Sequence, residues 1–243
     1  VKFWVVLNEP IVGLGHKYID GEFPPFKKLA IIKFIRSIYS LVRAYKGSYK
    51  VIHKINPRAK VSISQMMSTF EAKRSWCPAE RLFAYMANFF SGDYFYNLIK
   101  KHIDYTGFSY YHYYQIVWYP PFSKKSKKRK TDMNWPIYPE GIYHILKHLK
   151  KYNKPIYITE NGLADADDSR RADFIRDHLK WVHKAIKEGI DVRGYFHWSL
   201  LDNYEWARQG GFVPRYGLIE IDYKTLKRKP RPSSKVYAKI CGG

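Results

Sequence analysis

Apolar residues in this chain recur with two periods, and the two periods alternate along its length. "VKFWVVL" (1–7) is a continuous apolar run of strand length that ends at "NEP". Ile31, Ile35, Ile38, Val42, Tyr45, Tyr49 and Ile52 then recur at gaps of four and three, which puts them on one face of a helix that "INP" terminates. "AKVSIS" (59–64) predicts a second strand, 80–101 a helical segment, and "DYTGFSYY" (104–111) a third strand. Beyond a long loop, "YPEGIYHILKHLKKY" (138–152) predicts a helix and "PIYIT" (155–159) a strand. Ala172, Ile175, Leu179, Val182 and Ile186 mark one more helix, with Gly189 as its stop. "VRGYFHW" (192–198) is the fifth strand. A Gly-rich loop, a small hairpin in "RYGLIEIDY" (215–223) and a helix near 233–240 follow.

Strands separated by amphipathic helices need crossover connections, so the expected sheet is parallel, covered by helices, in a single α/β domain spanning 1–243. The pattern yields five strand-helix units, whereas a closed barrel of such units needs eight and typically about 250 residues. The first residue, Val1, falls inside a strand. The expectation is therefore an incomplete barrel whose upstream units are missing, with two open sheet edges and part of an apolar inner face uncovered.

Composition agrees with a folded domain: 243 residues, 46% hydrophobic and 18% aromatic, are enough to bury a sizeable core. No run of 18 apolar residues and no signal-like N-terminus is present, so neither a membrane span nor export is expected. Cys77 and Cys241 lack any paired metal spacing and read as two free thiols in a reducing, cytoplasmic compartment. Forty-three Lys plus Arg against 21 Asp plus Glu give a net charge of +22. The basic residues are dispersed except in "SKKSKKRK" (123–130), which reads as a solvated loop or a patch for an anionic partner; nucleic acid is not the expected one.

In a parallel α/β sheet, functional groups collect at the carboxyl ends of the strands. Glu9 ends the first strand and Glu160 the fourth. Two carboxylates facing one hollow are the minimum kit for cleaving a glycosidic bond: one protonates the leaving oxygen while the other attacks the sugar carbon. Trp198 at a strand end, with Glu205 and Trp206 in the next loop, adds flat rings and an acid of the kind that bind a sugar's apolar face and hydroxyl rim. The same tryptophans also fit a packing role. The nine histidines show no ligand spacing, and no Gly-rich phosphate cradle follows a strand, so neither metal nor cofactor is expected.

Three segments, "LNEP" (7–10), "YITENG" (157–162) and "GYFHWSLLDNYEWA" (194–207), together with "GEFPPF" (21–26), "IYPEGIY" (137–143) and "RYGLIEIDY" (215–223), resemble the signatures of glycoside hydrolase family 1, the β-glucosidases and β-galactosidases. The resemblance implies a TIM-type (β/α)8 barrel, present here from its fourth strand onward with the first three units missing. It implies a retaining hydrolase of β-linked saccharides or aryl glucosides, with Glu9 as acid/base and Glu160 as nucleophile. Retention calls for carboxyl groups about 5 to 5.5 Å apart, and Glu9 must carry a proton near neutrality, hence a raised pKa. Asn8 would bond the sugar 2-hydroxyl, Tyr111 orient the nucleophile, Trp198 form the sugar platform, and Glu205 and Trp206 hold the 4- and 6-hydroxyls. An acid at 205 favours an unphosphorylated sugar, because a carboxylate beside a phosphate costs Coulomb energy in a dry pocket.

Two departures stand against the family pattern. Ser109 occupies the usual Asn of "NYY", shortening one polar contact to the sugar or its orienting network. The absent units would supply a Gln and a His-Trp pair to the sugar site. Three readings follow: the larger part of a retaining β-glycosidase completed by an N-terminal fragment, a truncated and weakly active or inactive homologue that self-associates into a homo-oligomer, and a basic binding module.

Overall fold

The computed structural model describes residues 1–124, 126–206 and 210–242. Lys125 of the basic cluster, Ala207 of the third signature segment, and Arg208, Gln209 and Gly243 lie outside the described residues. In chain order the elements are β1 (Phe3–Asn8), α1 (Pro10–Tyr18), α2 (Ile31–Ile55), β2 (Lys60–Met66), β3 (Thr69–Ala72), α3 (Pro78–Asn88), α4 (Tyr94–Ile99), β4 (Thr106–Tyr110) and β5 (Tyr113–Ile116). Then come β6 (Ser123–Lys124), α5 (Glu140–Leu149), β7 (Ile156–Gly162), α6 (Arg171–Lys187), β8 (Val192–Trp198), β9 (Ile219–Ile221), β10 (Arg228–Pro230) and α7 (Pro232–Gly242).

The five strands read from the sequence form one sheet in the order β1-β2-β4-β7-β8, every neighbouring pair parallel. Each crossover carries at least one helix, as parallel pairing requires. The inner strands are buried on both faces: in β2, Val61, Ser62, Ile63, Ser64 and Gln65 are all buried, and β4 is buried throughout. Ile63, Phe108, Ile156 and Ile158 meet Phe95, Tyr96, Ile99, Ile142, Leu146 and Leu149 from the helices in one core. Its buried hydroxyls find partners, as low dielectric demands: Tyr45 Oη donates to the His102 carbonyl at 2.7 Å and Tyr96 Oη to that of Gly107 at 2.5 Å.

The edges differ from this interior. Phe3, Trp4 and Val5 on β1 and Phe196 on β8 are 39–56% exposed, so the two edge strands lack the cover that the central three have. On α2 the predicted stripe is buried at Ile38, Val42 and Tyr45 while Ile31 and Ile35 stand exposed. The helix therefore has an apolar face longer than the surface it covers.

Several elements depart from the sequence reading. The segment 80–101 is α3, with Pro78 in its first turn, then one wide turn at Phe89–Asp93, then α4. Pattern alone missed α1 and also a small sheet in the order β3-β5-β6, which prolongs β2 and β4 beyond their carboxyl ends. The hairpin pairs β9 with β10, so "RYGLIEIDY" supplies only one of its strands. Gly189 does stop α6, with φ at +78°, where a side chain is disfavoured. No helix among the described residues is long and apolar enough to cross a membrane.

Candidate active site

"NEP" is a local device for presenting an acid. The Glu9 N–H completes the β1–β2 ladder by donating to the Ser64 carbonyl at 2.7 Å. Its own φ and ψ of 45° and 53° then turn the chain sharply, and Pro10, whose ring presets a helical φ, opens α1. A non-glycine residue held in that left-handed region is uncommon and persists only where its surroundings fix it. Glu160 comes from β7, opposite Ser109 of β4, at an irregularity in the ladder that follows the Phe108 pair.

Both carboxylates open into one cavity of about 880 Å³ at the carboxyl ends of the sheet, walled also by Asn8, Tyr111, Trp198, Glu205 and Trp206. Each carboxylate has its own donor. Tyr111 Oη donates to Glu160 Oε2 at 3.0 Å, and the Ser109 hydroxyl donates to Glu9 Oε1. Asn8, on the same wall, also favours the ionised form of Glu160. At the far wall Glu205, almost fully buried, accepts from Trp198 Nε1 at 3.2 Å and Asn203 Nδ2 at 2.9 Å. Trp206 is largely exposed, its ring 5.0 Å from that of Phe23.

The electrostatics follow from this enclosure. Burial lifts the Glu9 carboxyl above its ordinary range, against the opposing pull of the Ser109 hydrogen bond and of His16. Glu160 is pushed up to about 7, first by burial and then by the negative charge of Glu9, although Tyr111 and Asn8 both favour its ionised form. The charge of Glu9 thus adds to burial in holding a proton on Glu160. A raised Glu9 was expected; a raised Glu160 was not.

Seven of the eight residues predicted for the site wall the cavity. Ser109 does not. It is fully buried, and its hydroxyl is spent on Glu9 rather than offered to a ligand, because the strand's alternation directs it behind the acid. Of the two roles expected for Ser109, a contact to the sugar or to its orienting network, its bond to Glu9 fits the second. Sequence reasoning missed His112, Trp135 and Tyr216, which also line the cavity. Trp135 packs on His112 with ring centres 4.2 Å apart, and burial lowers the His112 pKa to about 4, leaving it neutral. The "YYHYY" run around His112 was a visible signal, since so dense an aromatic stretch just past a strand end faces either core or ligand.

On the same wall His16, Asp20 and Glu22 bring ligand-type atoms within 4.8 Å of one another. His16 Nδ1 already bonds Asp20 Oδ2 at 2.7 Å, so the trio reads as a hydrogen-bonded cluster. The basic loop sits elsewhere: Lys127 and Lys128, with Lys73, line a separate hollow of about 520 Å³, and Lys128 lies over the Tyr138 ring at 4.1 Å.

Sheet order, strand-end carboxylates and aromatic walls together are those of a β/α-barrel enzyme fold with its site at the carboxyl ends of the strands. Residues 84–242 match Glycosyl hydrolase family 1, and the chain belongs to that family. It is 33% identical to Beta-glucosidase A of Thermotoga maritima, over 99% of this chain and 63% of that protein. It is 31% identical to a Beta-galactosidase of Saccharolobus solfataricus, over 99% of this chain and 55% of that protein. Among solved structures, Thermotoga maritima beta-glucosidase in complex with glucoimidazole superposes with a TM-score of 0.92 at 30% identity, covering all of this chain and 64% of the other. The chain thus spans somewhat under two thirds of the length of these relatives, and its fold is the corresponding part of a TIM-type barrel.

Proposed function

We propose that this chain carries both catalytic carboxylates of a retaining β-glycosidase acting on unphosphorylated β-glucosides or β-galactosides. The observation that supports the reading above all others is that Glu9 and Glu160 share one cavity, each with a separate hydroxyl donor. In the first step the Glu160 carboxylate attacks the anomeric carbon. The glycosidic C–O bond breaks as Glu9 gives its proton to the leaving oxygen. In the second step the Glu9 carboxylate takes a proton from water, the hydroxide equivalent attacks the anomeric carbon, and the ester to Glu160 breaks. Each carboxyl returns to its starting state. Asn8 supports the 2-hydroxyl, Trp198 the sugar's face, and Glu205 with Trp206 the far hydroxyls.

The exposed residues of β1 and β8 favour an assembly partner. The occupant that fits a parallel edge at each side is a segment supplying the three further strand-helix units; a second copy of this chain is the other reading. The two cysteines, one buried and one exposed, are both free, which suits a cytoplasmic setting.

Hydrolysis of 4-nitrophenyl β-glucoside, with the first-formed anomer followed by proton NMR, tests the proposal. Retained β-configuration and loss of turnover in Glu160→Gln are expected. Turnover only after addition of an N-terminal barrel fragment identifies a split enzyme. Dimerisation by light scattering without turnover in either case supports the truncated homologue.

A further inference from the structure

We infer that Ser109 is a positioning residue for Glu9: its hydroxyl, locked in the sheet interior, holds one oxygen of the Glu9 carboxyl and favours its ionised form. This deepens the glycosidase reading and rests on it.

Three observations carry the assignment. Ser109 is fully buried on β4, a strand buried along its whole length, so its Oγ has no water to bond and one place to aim. The partner it takes is Glu9 Oε1, a hundred residues earlier in the chain, which ties the start of α1 to the third strand of the sheet. Glu9 itself sits on a backbone turned into the left-handed region, where its side chain makes no capping hydrogen bond to the helix it precedes. The Ser109 bond is thus the main lateral restraint on that carboxyl among the described residues.

The bond has a direction. A hydroxyl that donates to a carboxylate stabilises the charged form, so Ser109 lowers the proton affinity of Glu9. Across the cavity Tyr111 and Asn8 do the same for Glu160. Tyr111 thus draws Glu160 toward its ionised form, and Ser109 draws Glu9 toward its own. Ser109 eases the loss of the Glu9 proton to the leaving oxygen in the first step and makes the resulting carboxylate a weaker base for the second.

Carboxyl titration tests this without relying on turnover. The chain, uniformly labelled with 13C-Glu, is titrated by NMR, with the two carboxyl carbons assigned from Glu9→Gln and Glu160→Gln. In Ser109→Ala the Glu9 midpoint is expected to move up by about one pH unit, roughly tenfold in its dissociation constant. Ser109→Thr, which keeps the hydroxyl, should restore it. Ser62→Ala, which deletes an equally buried hydroxyl bonded to the Tyr105 carbonyl, should leave it in place. An unmoved Glu9 midpoint in Ser109→Ala, or one that moves as far in Ser62→Ala, overturns the assignment. Absence of turnover both alone and with an N-terminal barrel fragment, with the titration behaving as expected, overturns the glycosidase reading instead.

Discussion

The phenol of Tyr111 donates to Glu160 Oε2 at 3.0 Å from a residue just past β4, so the strand next to β7 both pairs with the acid's backbone and orients its side chain. Removing that one donor leaves the ring in place but takes away a bond that favours the carboxylate. Tyr111→Phe is expected to lower kcat/KM for an aryl β-glucoside by about 10- to 100-fold, in line with about 1.5–3 kcal/mol for a hydrogen bond to a charged group. The acid limb of the pH–rate profile should move to higher pH. An unchanged limb would show that Tyr111 does not govern the ionisation of Glu160.

Stability should depend on the same acid. Glu160 has its folded pKa raised to about 7, against about 4.3 for an unfolded glutamate. Between those values the folded state binds more protons than the unfolded one, so its contribution to stability is largest below about pH 4.3 and declines as pH rises through 7. Glu160→Gln removes the penalty. It is expected to raise stability at pH 8 by about 1–3 kcal/mol and to have little effect at pH 4. Urea denaturation at the two pH values checks this, and equal effects at both would contradict it.

Asp202 and Arg231 form a buried two-pronged pair, with both N–O distances 3.0 Å, and Asp202 also accepts the Gly217 N–H at 2.9 Å. Although burial pulls the other way, Arg231 and these backbone donors hold the Asp202 carboxyl below its usual range. Its stabilisation is therefore present above the unfolded pKa and lost as pH falls toward the depressed folded value. Asp202→Asn strands a buried guanidinium and should cost about 3–5 kcal/mol. Replacing both partners, as Asp202→Leu with Arg231→Met, should cost less than the single change. Chemical denaturation of the three variants tests the order.

Gly162 packs its α-carbon against the backbone of Trp198; a β-carbon there would lie 1.8 Å from the Trp198 carbonyl oxygen. Gly162→Ala must push β8 away at the platform tryptophan. A loss of at least about 1–3 kcal/mol is expected, with KM rising more than kcat falls. Equal stability and unchanged KM would mean that the two strands separate there without cost.

Much of this arrangement is legible from pattern. The five sheet strands and the main helices announce themselves because each is a run of one clear period, and Glu9 and Glu160 stand out because strand ends in such sheets face the functional mouth. What escaped was short or mixed. α1 is a nine-residue helix with two glycines, below the length and propensity at which pattern speaks. β3 and β5 are four residues each and gain stability by pairing within the small sheet they form with β6. β10, "RKP", is exposed at each of its positions and has no apolar signal.

From the order of its residues alone, this chain settles its alternation of strand and helix and the placing of two acids at strand ends, because both depend on neighbours within a few positions. Which hydroxyl serves which acid, that Ser109 turns to Glu9 and away from the cavity, and that Glu9 raises the proton affinity of Glu160 were decided by the tertiary structure. Burial and Coulomb repulsion act over ångströms, and they join groups a hundred or more residues apart in the chain.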